Sequence, residues 1–193
     1  MSMPEPAQAR HVPGEAGIWV LIGGELAAFS AFFLVFAYYR GLQPEIFQAG
    51  HALLDRGIGL TNTIILLTSS LFVALAVQRV RDGREGAGRW LRAALACGLA
   101  FAALKVLEYA QKIGAGITPL TNDFFMYYFA FTGVHLLHVA IGSGALIFAM
   151  GVCRREPSAT RTMIVECAGI FWHLVDLLWI ILFALFYLAG GHG

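Results

Sequence analysis

Phe124 to Val152 reads FFMYYFAFTGVHLLHVAIGSGALIFAMGV, with no Asp, Glu, Lys or Arg along it. A helix needs about 20 mainly apolar residues to cross a hydrocarbon core of roughly 30 Å, and this run exceeds that. Lipid offers the backbone no hydrogen bonds, so a long unbroken apolar run crosses as a helix. Outward from this stretch, Ala16 to Tyr39 has Glu25 as its single charge and Gly57 to Gln78 has none. Leu91 to Gln111 carries Arg92, Lys105 and Glu108, and Cys167 to Leu188 carries Asp176. The expected fold is all-α, a polytopic membrane bundle of five transmembrane helices over about 16–39, 57–78, 91–111, 124–152 and 167–188. They form one domain, 16–190, behind a polar tail, 1–15.

Composition agrees. Of 193 residues, 59% are hydrophobic and 13% charged, and the mean hydropathy of +0.72 leaves too little polar surface for a soluble globule. The net charge of +1, with basic residues in short clusters, argues against a nucleic-acid partner. Cys97, Cys153 and Cys167 have neither metal-site nor disulfide-scaffold spacing and read as packing residues. The tail MSMPEPAQARHVPGEAG lacks the basic start and apolar core of a cleaved signal peptide. Arg10, Arg79, Arg81, Arg84, Arg89, Arg92, Arg154, Arg155 and Arg161 fall on one side of the membrane, and only Arg40, Arg56 and Lys112 on the other. The positive-inside rule then places the N-terminus in the cytoplasm and the C-terminus in the periplasm, or the equivalent matrix arrangement in a mitochondrion.

Ionisable groups inside a bilayer cost free energy, at least about 2.5 kcal/mol on insertion scales, so each needs a partner or a purpose. Glu25, His135, His138, His173 and Asp176 can all lie near mid-membrane, and helical spacing gathers small and polar residues into stripes. One runs His135, His138, Gly142, Ala145, Ala149, and the other Gly169, His173, Asp176, Ile180, Ala184. Two backbones can approach along such stripes, with a buried hydrogen-bond network as the plain explanation. Proton exchange or a lipid headgroup at the same cluster is the functional alternative. Lys105 and Glu108 are three apart and can pair on one helix face, needing no partner elsewhere. Trp19, Trp90, Tyr38, Tyr39 and Tyr187 lie near span ends, where an interfacial aromatic belt is expected. His135, His138 and His173 could in principle ligate haem or a metal, but without a supporting motif no metal site is assigned. No catalytic residue is assigned either, since nucleophile triads, phosphate loops and dinucleotide fingerprints are missing from the sequence.

Several blocks, in order, resemble subunit III of the haem-copper oxidase superfamily, from about Trp19 to Leu188. They are the first span with Glu25, Thr61–Ser70 (TNTIILLTSS), Glu108–Tyr109, Thr132–Gly142 (TGVHLLHVAIG), and Glu166 followed by Phe171–Trp179 (FWHLVDLLW). The chain lacks the first two helices of the seven-helix mitochondrial type. Lys105–Tyr109 (KVLEY) and Thr121–Phe129 (TNDFFMYYF) look more like the five-helix NorE-type proteins associated with nitric oxide reductase. The resemblance implies an accessory, non-catalytic subunit of a respiratory enzyme reducing oxygen or nitric oxide, in the bacterial inner membrane. It implies no cofactor in this chain, haem with copper or iron in a catalytic partner subunit, and bound phospholipid as a further associate. Glu25 corresponds to the family's buried carboxylate, linked to proton uptake and phospholipid, and His135, His138, Glu166, His173 and Asp176 fall on its polar positions. Two rivals stay open: a free-standing proton-coupled transporter, and a small b-type cytochrome.

Overall fold

A computed structural model describes residues 14–189. Most of the polar tail, with Arg10, lies outside the described residues. The elements are α1 (Ala16–Leu42), α2 (Pro44–Ala52), α3 (Arg56–Arg81), α4 (Ala87–Gly114), α5 (Asp123–Val152) and α6 (Ala159–Phe183), the last continued by a π-helical segment, Ala184–Leu188. Among the described residues there is no strand, and five helices are long and apolar enough to cross a membrane.

A helix covers each apolar window and extends past it. α6 starts about two turns before Cys167, because Ser158 caps it by accepting a hydrogen bond from Arg161 N at 3.1 Å. Asp55 caps α3 through Gly57 N and Ile58 N, and Asn122 caps α5 through Phe125 N. α2 departs from the sequence pattern: Arg40 to Arg56 reads as a plain connection, yet Pro44 starts a short helix there. α2 buries Phe47 and His51, and Gly50 admits the Phe124 ring directly against its backbone.

α3, α4, α5 and α6 pack on one another, while α1 lies against α6 and α2. α1 reaches α5 through rings, Phe32 stacking on Phe131 and Phe36 meeting Tyr127 edge-on. The two small-residue stripes do not face each other. Gly142 of α5 and Gly98 of α4 both make room for the Trp172 indole; a Cβ would stand 2.8 Å and 2.7 Å from its ring atoms. Gly169 of α6 opens instead toward Val73 and Val77 of α3. The α3–α6 seam is polar and specific. Trp172 Nε1 donates to Ser69 Oγ at 3.1 Å, Ser69 Oγ donates to the Ala94 carbonyl, and Trp179 Nε1 donates to Thr63 Oγ1 at 3.1 Å. Each indole thereby gains a polar partner inside an apolar bundle.

The charges sort to opposite ends. Arg40 donates to the Ala189 carbonyl and Lys112 to the Leu53 carbonyl at one end, while Arg79 reaches Glu85 O and Arg161 reaches Arg155 O at the other.

Candidate functional site

The polar residues inside the bundle fall into separate centres, and those expected at one level, Glu25, His135, His138, His173 and Asp176, do not all meet. In the first, Lys105 Nζ lies 2.8 Å from Glu108 Oε2 and donates to Tyr128 OH at 2.9 Å and Tyr187 OH at 3.3 Å. Tyr187 OH donates to Glu108 Oε1 at 2.8 Å, and the Lys105 ammonium sits over the Tyr109 and Trp179 rings at 5.2 and 5.4 Å. The expected i,i+3 pair is present, but it is not self-contained. Tyr128 of α5 and Tyr187 of the π segment complete it, which spreads the ammonium's hydrogen bonds over three oxygens. Tyr187 is therefore no interfacial belt residue: it is buried. Ala189 N closes the π turn on the Ala184 carbonyl, and such local rewinding commonly marks a site where a side chain is re-aimed.

In the second centre, His138 Nδ1 stands 2.8 Å from the Val134 carbonyl and Nε2 stands 3.2 Å from Glu25 Oε2. A carbonyl only accepts, so Nδ1 carries a proton. Nε2 then meets Glu25 either as acceptor from a carboxylic acid or as an imidazolium donor to a carboxylate. Phe29 and Phe171 wall this contact.

His135, one turn away, faces elsewhere. It lies between Phe101 and Trp179, ring centroids 5.6 and 5.3 Å away, and neither ring nitrogen finds a hydrogen bond. His173 Nδ1 bonds Ser70 Oγ at 2.7 Å. Asp176 is buried 3.8 Å from that nitrogen, with neither oxygen hydrogen-bonded. Among the described residues, no group of three or more His, Cys, Asp and Glu is placed to hold a metal ion.

Glu166 belongs to the end of the bundle, not its middle. Its carboxylate pairs with Arg81 Nε at 2.7 Å and accepts from Gly14 N at 2.8 Å. Between this pair and His173 runs a groove of about 310 Å³, lined by Trp19, Val77, Gly169 and Ile170. At the opposite end His51 Nδ1 donates to the Phe186 carbonyl at 2.7 Å, and burial, followed by the nearby charges of Arg40 and Arg56, holds its pKa below the usual histidine value. Sequence reasoning missed Tyr109, Tyr128, Ser69, Ser70 and His51. Their polar atoms are signalled only by the need of each buried polar group for a partner.

The fold and these centres define a multi-pass helical membrane protein whose polar groups are spent largely on one another. Residues 13–191 match the family described as cytochrome c oxidase subunit III, and the chain belongs to that family, the third subunits of haem-copper oxidases. It is 30% identical over 193 aligned residues to cytochrome c oxidase subunit 3 of Synechocystis sp., covering 92% of this chain and 82% of that protein. It is 28% identical to cytochrome bo(3) ubiquinol oxidase subunit 3 of Pseudomonas putida, covering 90% and 84% respectively. Heme-copper oxidase subunit I+III of Aeropyrum pernix is 28% identical over 90% of this chain, which spans 22% of that longer protein.

Proposed function

We propose that this chain is a non-catalytic subunit III docked beside the haem- and copper-bearing catalytic subunit of a quinol or cytochrome c oxidase in the bacterial inner membrane. Its N-terminal end and the arginine-rich end of the bundle face the cytoplasm. The match of residues 13–191 to the family carries this reading, because it takes in all five spans and every polar centre. The Aeropyrum pernix relative, named as subunits I and III together, supports a catalytic partner at its side. The same role beside a nitric oxide reductase is the alternative, resting on the NorE-like blocks Lys105–Tyr109 and Thr121–Phe129. The relatives named above are oxidase subunits, which favours the oxidase.

Within that role, Glu25 and His138 exchange a proton near the cytoplasmic half of the bundle, and the groove beside Trp19 and Arg81 takes a phospholipid chain with its headgroup at Arg81. The transporter and cytochrome readings draw no comparable support from the placement of the histidines. Membranes from cells lacking the chain test the proposal. Oxidase activity should fall while the catalytic subunit that remains keeps its haem spectrum. Unchanged oxidase amount, activity and operational lifetime would reject it.

A further inference from the structure

Arg84, Arg89, Arg92, Arg154, Arg155 and Arg161 line one cavity of about 680 Å³ where the α3–α4 and α5–α6 connections meet. Only two carboxylates, those of Glu85 and Glu156, share that wall. Positive-inside topology calls for arginines on this side of the membrane, but it does not call for them to ring a concavity. Like charges held around one concavity repel, and its walls focus their field on an incoming anion.

The neutralisation available within the chain is partial. Arg84 Nε is 3.8 Å from Asp82, and the Arg89 guanidinium lies 5.7 Å from the Trp90 ring centroid. Arg161 is fixed by donating from Nη1 to the Arg155 carbonyl at 3.1 Å, while its shielded Nε makes no hydrogen bond.

The first turn of α4 forms another wall through Gly86, Ala87 and Gly88. Gly86 is the N-cap, at φ +87°; no side chain caps this helix, and no acidic residue occupies its first turn. Arg89 N closes back on the Gly86 carbonyl at 3.2 Å, and the amides before it, without a side-chain cap, face with the positive end of the helix dipole a wall that is already cationic. Guanidinium forks and helix-start amides both match the oxygens of a phosphate group. The volume falls in the range of small-ligand sites, large enough for more than one phosphate.

We infer that this cavity binds a phosphate-bearing anion, either the headgroup of an anionic phospholipid or a soluble polyphosphate. The inference stands on the cavity and does not depend on the accessory role.

The test uses the full chain in phosphatidylcholine nanodiscs, titrated calorimetrically with inorganic pyrophosphate. In parallel, chain extracted from phosphatidylglycerol-containing membranes is exchanged into phosphatidylcholine and weighed by native mass spectrometry. The variants are Arg92→Gln with Arg161→Gln, a second pair Arg154→Gln with Arg155→Gln in case the first unfolds, and Arg56→Gln at the opposite end. Saturable pyrophosphate binding, weakened by an order of magnitude or more in a cavity pair and unchanged in Arg56→Gln, identifies a soluble ligand. One retained phosphatidylglycerol per chain, lost in a cavity pair only, identifies a headgroup. Binding of neither, or equal loss in Arg56→Gln, overturns the inference.

Discussion

Lys105 Nζ lies 2.8 Å from Glu108 Oε2 inside α4, with both side chains almost wholly enclosed. The pair is held from two other elements by Tyr128 and Tyr187. Removing one charge leaves the other buried and uncompensated, at a cost of about 3–5 kcal/mol, whereas replacing both by apolar groups is often close to neutral. Lys105→Met and Glu108→Leu should each lower the unfolding stability in detergent sharply. The double variant should recover most of the loss, and additive losses would contradict the arrangement.

Trp172 gives a steric prediction. Its indole enters a slot that Gly98 and Gly142 leave open from two helices. Gly98→Ala and Gly142→Ala should each destabilise by about 1–3 kcal/mol through overpacking. Because both press on one ring, the pair should deviate from additivity. Thermal unfolding of the four proteins in one detergent measures this, and wild-type midpoints throughout would refute it.

His51 sets a pH dependence. Its pKa in the folded protein lies below the ordinary histidine value, so below about pH 6.5 the unfolded chain takes up a proton that the folded site resists. Its contribution to stability is full above that pH and declines as pH falls toward the folded value. His51→Asn, which can keep a donor toward the Phe186 carbonyl, should flatten the slope of stability against pH between neutral and mildly acidic buffer. An unchanged slope would show that another group sets it.

The Glu25–His138 contact predicts a coupled infrared signal. The infrared band of the Glu25 carboxyl group should disappear in Glu25→Gln and shift in His138→Phe, because Nε2 of His138 is its partner at 3.2 Å. A band that ignores His138→Phe would rule out the contact as a determinant of the Glu25 environment.

The spans were legible because lipid leaves long apolar runs only one backbone solution. α2 was not, since its nine residues carry neither the length nor the apolarity of a span. The Lys105–Glu108 pair follows from spacing alone, but its tyrosines do not. Tyr187, at the end of an apolar run, looks like a belt residue until the π segment turns it inward. The histidines show the limit most clearly. At 3.6 residues per turn, positions three apart differ by about 60° around the helix. That offset is enough to send His138 to α1 and His135 to Phe101 and Trp179. Glu166 and Asp176 share a helix with His173, yet one lies at the bundle end beside Arg81 and the other is buried without a hydrogen bond.

The central claim is that this chain serves a haem-bearing partner and holds no haem itself. Affinity purification from native membranes in mild detergent, with an absorbance spectrum and identification of whatever co-elutes, tests it most directly. The account predicts a haem-copper catalytic subunit in the eluate, with all haem absorbance leaving when the chain is stripped free. A chain that elutes alone, or one that keeps a haem spectrum after stripping, would contradict it.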